Sequence, residues 1–392
     1  MPKVLRIINR FNLGGIAYNV SYLTKYCDPE YETLLIGGEE EKGEESALFI
    51  PQSLGLKPLI VNELKREISL KNDYAAYKKI KEIIKEFKPD IVHTHASKAG
   101  AVGRLAAISC RVPIIVHTFH GHVFHSYFGQ LKTTFYKNVE RFLAKRTHAI
   151  VAISEIQKKE LTEVFKVCAT KQTHVIPLGF DLVRFTENTE EKRKKFRTKW
   201  NIKDDELAIG IIGRFAPVKN HELFIDAIEF VLKNSPKKIR AIIIGDGETR
   251  LNIENYISSK KLEFTNNAGD SYLFCLTSWS KEVDIDLAGL DLVCLTSKNE
   301  GTPVSLIEAQ AAGKFIVTTN VGGIADILHK DCGFLIDTNK PHEYHLQLLN
   351  AVNRFEELSA RAKNGRTSIL QKFSYQRLAD DMKKLYDSLL KK

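Results

Sequence analysis

The sequence contains no hydrophobic run long enough to cross a membrane. No stretch reaches the about 18 consecutive apolar residues that a transmembrane helix requires. The N-terminus leads straight into a strand pattern, without the apolar core and cleavage site of a signal peptide. We therefore expect a cytoplasmic protein. Peripheral contact with the inner face of the cytoplasmic membrane is compatible with this expectation.

The six cysteines lack the spacing of a metal site or a disulfide framework. They lie far apart, with no Cys-x-x-Cys and no Cys/His cluster, which argues against a structural zinc site. Cys110, Cys275 and Cys294 lie within apolar runs. Buried free thiols in a reducing compartment are the expected state.

Two classes of ligand are also disfavoured. There is no Gly-x-Gly-x-x-Gly with a suitably placed acidic residue, so a dinucleotide site is not expected. The net charge is +10, but no compact basic and aromatic motif accompanies it, so nucleic acid is not expected as a partner. Residues 1–180 hold 26 Lys and Arg against 18 Asp and Glu, whereas residues 181–392 hold 32 against 30. The basic half suits an anionic membrane or a phosphorylated substrate, or is simply a solvated lysine-rich surface.

Short apolar runs alternate with longer amphipathic runs along nearly the whole chain. Strands that are apolar throughout, each followed by a helix, are typical of parallel sheets covered on both faces. The predicted strands are Val4–Ile8, Thr33–Ile36, Pro58–Val61, Ile91–Thr94, Ile114–Thr118, Ala149–Ile153, His174–Ile176, Leu207–Ile212, Ile239–Ile244, Leu290–Leu295 and Phe315–Thr318. The predicted helices include Ile16–Tyr26, Tyr74–Phe87, Ala99–Ile108, Leu131–Lys145, Ile156–Phe165 and Tyr375–Leu390.

The alternation breaks once, at the polar and charge-dense segment Phe185–Lys203, which holds no predicted strand. A chain of 392 residues also exceeds what one core usually organises. We predict an α/β protein of two Rossmann-like domains that face each other across a cleft. The domains are residues 1–183 and 184–374, and a final helix in residues 375–392 returns to the first domain.

Two candidate sites follow strands of the first domain. Gly14 and Gly15 come after the first strand and before a helix, where backbone N–H groups can meet an anion, although a plain turn has the same pattern. Residues 117–125 contain four histidines, which can donate hydrogen bonds to sugar hydroxyls or phosphate. A metal site is disfavoured there, because no carboxylate is close in sequence and the spacing along a strand divides the side chains between two faces. His93 and His95, after another strand, are interpreted as structural or cleft-lining.

The segment Gly213-Arg214…Lys219 follows the first strand of the second domain. Arg214 and Lys219 are five residues apart and lie just before a predicted helix. A guanidinium can hold two phosphate oxygens while an ammonium acts as a point charge, so the pair suits a diphosphate.

Two glutamates, Glu300 and Glu308, follow the strand Leu290–Leu295. Thr302 as N-cap and Pro303 at the first helical position predict a helix there, and Gly313 ends it. Glu300 then lies in a loop and Glu308 inside the helix, where each carboxylate can accept hydrogen bonds from vicinal hydroxyls. The alternative is a solvent-facing helix glutamate, which the apolar neighbours of Glu308 disfavour.

Taken together, these motifs resemble the family 4 retaining glycosyltransferases of the GT-B fold, over nearly the whole chain. The resemblance rests on two glutamates separated by seven residues, on the Gly-Arg…Lys segment, on the glycine loop and on a strand-end histidine, best matched by His120. Glycine turns also match, at residues 245–247 and 321–323.

The resemblance implies a role for each residue. Arg214 and Lys219 would neutralise the donor diphosphate, Glu308 would hold the ribose and Glu300 the transferred sugar. His120 would contact that sugar near the reaction centre, through its ring and its backbone carbonyl. Backbone groups would complete the phosphate cradle, and the full expected donor site is Gly14, Gly15, Arg214, Lys219, Glu300, Gly301, Thr302, Val304, Ser305 and Glu308.

The family also implies the reaction. A hexose or N-acetylhexosamine would pass, with retention, from a nucleoside-diphosphate sugar, uridine being favoured, to a glycan or lipid-linked acceptor in surface polysaccharide or glycolipid synthesis. Neither a cofactor nor a metal is expected. The acceptor would bind the first domain and the donor the second. The alternatives are a nucleotide-sugar epimerase or phosphorylase on the same scaffold, and a non-catalytic nucleotide-sugar-binding protein at a membrane surface.

The sequence departs from the family pattern in three places. Pro177-Leu178-Gly179 replaces the usual Pro-Asn-Gly near the hinge, and Pro303 removes one phosphate-facing amide. Residues 263–280 are unusually polar and aromatic, and a base-binding loop is one interpretation of them.

Overall fold

A computed structural model describes residues 1–12, 14–41, 45–65, 67, 69–121 and 130–391. The chain divides into two compact units. Unit 1 comprises Met1–Phe180 and Lys372–Lys392, and unit 2 comprises Asp181–Gln371. Each unit contains a seven-stranded sheet whose strands are all parallel, and helices connect most successive strands. The predicted pair of Rossmann-like α/β domains is therefore confirmed.

The sheet of unit 1 has the order β3-β2-β1-β4-β5-β6-β7. Its central strands are buried along their whole length, as the continuous apolar runs predicted. The strands are β1 Lys3–Arg10, β2 Glu32–Gly38, β3 Leu59–Ile60, β4 Ile91–His95, β5 Ile114–Phe119, β6 Ala149–Ala152 and β7 Thr173–Val175.

The helices of unit 1 follow the predicted amphipathic runs with two exceptions, the first of which is the short helix Phe49–Ser53, which was not predicted. The run predicted as a single helix over Ile156–Phe165 is an α-helix followed by a π-helical turn, Glu160–Val164. The predicted helix therefore continues to Val164, but its second half has the i→i+5 hydrogen bonds of a π-helix instead of the i→i+4 bonds of an α-helix. The α-helices are α1 Gly15–Tyr26, α2 Phe49–Ser53, α3 Leu70–Phe87, α4 Ser97–Ser109, α5 Gln130–Ala144 and α6 Glu155–Lys159.

The C-terminal helix, Tyr375–Leu390, packs within unit 1. The Ser374 side chain caps its N-terminus by accepting a hydrogen bond from the Arg377 N–H at 3.1 Å. One face of the helix is apolar and joins a core cluster with β1, β4, β5 and α1. The buried residues of that face are Leu378, Ala379, Met382, Leu385 and Tyr386.

Truncating this face should destabilise unit 1. Met382 is 1% exposed, so Met382→Ala should lower the free energy of unfolding by about 2–4 kcal/mol, the usual cost of a core cavity. Urea unfolding followed by far-UV circular dichroism, with hydrogen exchange of α1, measures the change. Lys384→Ala, at an exposed position of the same helix, is the matched control and should shift stability by about 0.5 kcal/mol or less. Equal free energies of unfolding for the two variants would contradict the packing of this helix face in the core of unit 1.

The sheet of unit 2 has the order β10-β11-β9-β8-β12-β13-β14. Three short strands were not predicted: β10 and β11, which lie in the unassigned residues 263–280, and β14. The strands are β8 Glu206–Ile212, β9 Lys238–Ile244, β10 Phe264–Thr265, β11 Phe274–Leu276, β12 Leu292–Leu295, β13 Phe315–Thr319 and β14 Gly333–Ile336.

The helices of unit 2 begin in the charge-dense segment that separates the two predicted domains. This segment forms α7, which packs against α10 through Phe196 and Gly289. The helices are α7 Thr189–Lys199, α8 His221–Asn234, α9 Arg250–Ser259, α10 Val283–Gly289, α11 Val304–Ala311, α12 Ile324–Ile327, α13 Pro341–Asn353 and α14 Phe355–Lys372; the C-terminal helix is α15.

Candidate donor site

The two strands that carry the predicted donor residues are neighbours at the centre of the unit 2 sheet. β8 pairs with β12, with Ile209 opposite Leu292, and the strand order reverses at this pair. In open parallel sheets, ligands bind outside the carboxyl ends of the strands at such a switch point. The loop after β8 carries Arg214 and Lys219, and the loop after β12 carries Glu300. The topology therefore brings these two loops to one place.

Lys219 and Glu300 form an ion pair across the two loops. The Lys219 Nζ donates to Glu300 Oε1 at 2.6 Å, and the two side chains are 20% and 11% exposed. Ser297 donates to the same carboxylate oxygen, also at 2.6 Å. Among the described residues, Glu300 Oε2 has no hydrogen-bond partner. One carboxylate oxygen is thus fixed by the protein and the other remains available to accept a hydrogen bond from a ligand.

The backbone of the two loops is held together beneath this pair. The Thr296 hydroxyl donates to the Lys219 carbonyl at 2.9 Å, and the Lys298 N–H donates to the Val218 carbonyl at 2.8 Å. The Thr319 hydroxyl of β13 donates to the Ser297 carbonyl at 2.7 Å. Thr296, Ser297 and Thr319 are buried. Because these buried bonds are satisfied, they fix the positions of Lys219 and Glu300 relative to each other.

A glycine pair after β13 packs directly on the Glu300 loop. Gly322 has φ +54°, and a Cβ there would lie 1.7 Å from the Glu300 carbonyl oxygen. The Gly323 N–H donates to the Gly301 carbonyl at 3.0 Å. Both the left-handed backbone and the close contact require glycine at position 322.

Substituting Gly322 should therefore damage the site as well as the fold. We expect Gly322→Ala to weaken nucleotide-sugar binding by about tenfold, since Glu300 must move to admit the methyl group. Gly269→Ala is the matched control in the same unit: Gly269 has φ +95°, but no described atom lies within 4 Å of its added Cβ. The control should lose about 1–2 kcal/mol of stability and bind normally in calorimetric titrations. Equal binding by both variants would show that the contact does not position Glu300.

Arg214 lies in the same loop as Lys219 but is engaged elsewhere. Its Nε donates to Glu248 Oε2 at 3.0 Å, and both side chains are about half exposed. The loop is bound to the next turn along the sheet, because the Phe215 N–H donates to the Asp246 carbonyl at 2.9 Å. No hydrogen bond or ion pair joins the Arg214 side chain to Lys219 or Glu300 within the described part of the chain. The structure leaves the Arg214 guanidinium accessible at the edge of the site.

The helix after Glu300 begins one residue later than predicted. Pro303 has an extended backbone (φ −69°, ψ 110°) and is the N-cap, so α11 begins at Val304. The predicted capping by Thr302 is therefore wrong: no side chain caps this helix. Gly301 is exposed, and Thr302, Val304 and Ser305 are half-buried. The first-turn N–H groups of α11 still form the positive end of a helix, which favours an anion.

Glu308 lies in the second turn of α11 and is 12% exposed. Burial raises the pKa of its carboxyl to about 7, although the nearby Arg184 guanidinium opposes the shift. The Arg184 Nη2 donates to Glu308 Oε1 at 3.4 Å. Arg184 was not predicted as a site residue. It lies in a short 3-10 turn at the predicted domain boundary, with no motif that marks it.

The remaining predicted residues lie in unit 1: Gly14 and Gly15 follow β1, at the switch point between β1 and β4, and His120 follows the next strand in the sheet, β5. Gly14 is the N-cap of α1, and a Cβ there would meet no described atom within 4 Å. His120 follows β5, and its Nε2 lies 3.0 Å from Nδ1 of His95, which ends β4. Burial lowers the pKa of His120 to about 4. Two other histidines of the predicted segment, His122 and His125, lie outside the described residues.

The described residues contain neither a metal-ligand cluster nor a membrane-spanning helix. Across residues 1–121 and 130–391, apart from the undescribed positions, no group of three His, Cys, Asp or Glu side chains could hold a metal ion. No described helix is both long and apolar enough to cross a membrane.

Comparison with known proteins identifies two families along the chain. Residues 14–184 match Glycosyltransferase Family 4, and residues 192–368 match Glycosyl transferases group 1. The chain is similar to an Escherichia coli UDP-Gal:alpha-D-GlcNAc-diphosphoundecaprenol alpha-1,3-galactosyltransferase, with 30% identity over 337 residues, or 84% of each chain. It is also similar to the capsular polysaccharide biosynthesis glycosyltransferase CapM of Staphylococcus aureus, with 24% identity over 84% of this chain and 86% of the relative.

A similar fold occurs among solved structures. Anabaena Alr3699/HepE, crystallised with UDP and glucose, superposes with a TM-score of 0.81 over 99% of this chain and 100% of that chain. The sequence identity is 19%, so this likeness concerns the fold.

Proposed function

Since the chain belongs to the group 1 glycosyl transferases and is a glycosyltransferase, we propose that it transfers a hexose or N-acetylhexosamine from a UDP-sugar to a lipid-linked glycan. The observation that carries the proposal is the Lys219–Glu300 pair at the switch point of unit 2. Uridine is supported by the E. coli relative, whose name specifies UDP-Gal, and by the UDP bound to Alr3699/HepE.

The donor would bind along the carboxyl edge of the unit 2 sheet. Lys219, with Arg214 at the edge of the site, would neutralise the diphosphate, and the first-turn N–H groups of α11 would complete its cradle. Glu308 would accept hydrogen bonds from the ribose hydroxyls. Glu300 would accept one from the sugar through its unpaired Oε2. The loop after β11, with the half-exposed Trp279, is the candidate contact for the base.

In unit 1, Gly14, Gly15 and His120 would be the residues that contribute to donor binding, as the family resemblance implies. The N–H groups at the start of α1 suit a phosphate oxygen. Gly14 leaves open space at its Cα, which permits a close approach of the ligand.

The sugar would be transferred with retention and without a metal. The bond between the anomeric carbon and the diphosphate oxygen breaks, and a bond to the acceptor hydroxyl oxygen forms on the same face. The acceptor proton would pass to an oxygen of the departing diphosphate. The developing negative charge would be held by protein cations, chiefly Lys219, which takes the role that a metal ion has in other transferases.

The acceptor would carry a diphosphate and a lipid, as the acceptor named for the E. coli relative does. Its anionic portion is matched by the excess of 26 basic over 18 acidic side chains in residues 1–180. The same excess supports peripheral contact with the inner face of an anionic membrane. An epimerase and a non-catalytic binding protein are not supported, since the relatives are glycosyltransferases.

A panel of nucleotide-sugars tests the donor assignment directly. A ligand of the folded state raises the melting temperature, so UDP-sugars should stabilise the protein more than GDP- or ADP-sugars. The preferred donor should then label GlcNAc-diphosphoundecaprenol in a detergent extract. Stabilisation by a purine nucleotide-sugar alone would overturn the uridine assignment, and formation of an epimer without any transfer would overturn the proposed reaction.

A further inference from the structure

Each glutamate of the predicted donor site has one carboxylate oxygen beside a cation of unit 2. The Lys219 Nζ lies 2.6 Å from Glu300 Oε1, and the Arg184 Nη2 lies 3.4 Å from Glu308 Oε1. Arg184 is the one hydrogen-bond and ion-pair partner that the described residues offer to the Glu308 side chain. The second oxygen of Glu308, Oε2, has no such partner among them. Arg184 therefore has the same relation to Glu308 as Lys219 has to Glu300.

The burial of Glu308 makes its charge depend on a nearby cation. Its side chain is 12% exposed, and none of the described backbone N–H groups donates to its carboxylate. A carboxylate removed from water tends to protonate unless an opposite charge or hydrogen bonds replace its hydration. Burial raises the pKa of Glu308 to about 7, and the charge of Arg184 limits that shift.

The other groups that face Glu308 do not supply a positive charge. Asp284 of α10 raises the pKa of Glu308 further, and the Asp284 carboxylate is itself paired with the Lys192 Nζ at 2.8 Å. The strands that pack beside α11, β12 and β13, contribute Cys294 as their only titratable side chain. Burial raises the pKa of that thiol, so it stays neutral. Among the described residues, Arg184 is therefore the cation that acts on Glu308.

The position of Arg184 is fixed by its own turn and by α7. Arg184 lies in the 3-10 turn Val183–Phe185, and its carbonyl accepts a hydrogen bond from the Lys192 Nζ at 2.5 Å. The carbon of its guanidinium lies 4.8 Å from the centre of the buried Phe185 ring, within the range of a cation–π contact. The 3.4 Å contact with Glu308 is longer than a strong hydrogen bond, so Arg184 acts on Glu308 mainly through its charge.

We propose that Arg184 is a positioning residue for the donor site: its charge keeps much of the buried Glu308 ionised near neutral pH, and its contact with Oε1 leaves Oε2 to accept a hydrogen bond from the ligand. An ionised carboxylate accepts at both oxygens, whereas a protonated one carries an O–H and loses acceptor capacity. The proposal rests on the proposed function only where it places the ribose at Glu308. The effect of Arg184 on Glu308 is a property of the ligand-free protein.

A carbon-13 NMR titration of the ligand-free, full-length protein measures that effect without any substrate. Glutamate is labelled at its side-chain carboxyl, and Glu308→Gln identifies the Glu308 resonance by its loss. Arg184→Gln keeps a donor but removes the charge, so the midpoint of the Glu308 titration should rise by about one pH unit or more. Arg184→Lys keeps the charge and should titrate within about half a unit of the unsubstituted protein. An unchanged midpoint in Arg184→Gln would overturn the proposal.

Calorimetric titration with UDP-glucose tests the consequence for binding. Near pH 7 we expect Arg184→Gln to bind at least about fivefold more weakly, because a smaller fraction of Glu308 is ionised. At about pH 9 most of Glu308 is ionised in both proteins, and the difference should fall below about twofold. Arg354→Gln is the matched control, since it breaks the exposed Arg354–Glu357 pair of the same unit. It should bind like the unsubstituted protein at both pH values.

The other outcomes are distinguishable. A loss of equal size at both pH values would indicate that Arg184 contacts the ligand itself, and equal losses in Arg184→Gln and Arg184→Lys would exclude the charge as the cause; either result overturns the proposal. Full binding by Glu308→Gln would instead remove the ribose contact of the proposed function, while the NMR titration still decides the effect of Arg184. If Arg184→Gln does not fold, Arg184→Met, which keeps an apolar contact with Phe185, gives the same comparison.

Discussion

Replacing Lys219 by methionine is expected to lower kcat by about a hundredfold to a thousandfold, the usual cost of removing a preorganised group from a developing charge. Lys219 supplies the half-buried cation nearest Glu300, and methionine keeps its length without its charge. The loss should fall on kcat more than on KM, because charge on the diphosphate increases as the bond to the sugar breaks. Initial-rate measurements with a UDP-sugar and the lipid-linked acceptor give both constants.

Lys238 provides the matched control for that experiment. It forms an ion pair with Asp205 at the amino end of β9, and both side chains are mostly exposed. Lys238→Met therefore removes a lysine and an ion pair from the same unit, far along the strand from the predicted donor edge. We expect unchanged kinetics in this variant. Full activity in Lys219→Met would remove the basis for the proposed donor site.

Substituting Glu308 by glutamine should weaken UDP-sugar binding by about a hundredfold. A carboxylate that accepts from two ribose hydroxyls loses two charge-assisted hydrogen bonds, which contribute about 1.5–3 kcal/mol each before compensation by the amide oxygen. Calorimetric titration with UDP-glucose measures the change. Binding within about twofold of the unsubstituted protein would place the ribose elsewhere.

The same residue predicts a pH dependence of binding. Burial raises the pKa of Glu308 to about 7 in the ligand-free protein, so its carboxylate fraction increases as pH rises through that value. Affinity for UDP-glucose should therefore increase by up to about tenfold between about pH 6 and pH 8. A diphosphate diester has no proton to lose in this window, and the pKa of His120 is about 4, well below it. In Glu308→Gln the profile should be flat; an unchanged slope would assign the titration to another group.

The strongest sequence patterns identified the elements that form the site. β8 and β12 are apolar runs, and the residues that follow such strands must lie at one edge of a parallel sheet. That rule is sufficient to bring Lys219 and Glu300 into one region without any knowledge of side-chain contacts. Their direct ion pair, and the use of Ser297 as a second donor to Glu300, depend on loop geometry and could not be obtained from spacing.

Other features were missed for identifiable reasons. β10 and β11 are two and three residues long, too short to show a periodicity against polar neighbours. Arg184 reaches Glu308 across 124 residues of sequence, and no local pattern can indicate such a contact. The start of α11 shifted by one residue because Pro303 is extended rather than helical, an ambiguity at every helix terminus.

The contacts of the histidines also could not be predicted from local sequence patterns. The sequence has four histidines within nine residues. Only the family resemblance selected His120 among them. Its partner His95 lies 25 residues earlier on a neighbouring strand, and Tyr386 approaches from the other end of the chain. The pairing of β4 with β5 joins the first two, and the packing of α15 adds the third. Only the tertiary structure brings these three side chains together.

The most direct test is a transfer reaction from UDP-galactose to GlcNAc-diphosphoundecaprenol, run with excess EDTA and again with Mg²⁺, with the product linkage determined by proton NMR. If Lys219 and Arg214 carry the charge of the leaving diphosphate, the two rates will be equal and the new bond will have the α configuration of the donor. A β-linked product, or activity that disappears in EDTA and returns with Mg²⁺, would contradict a metal-independent retaining transferase.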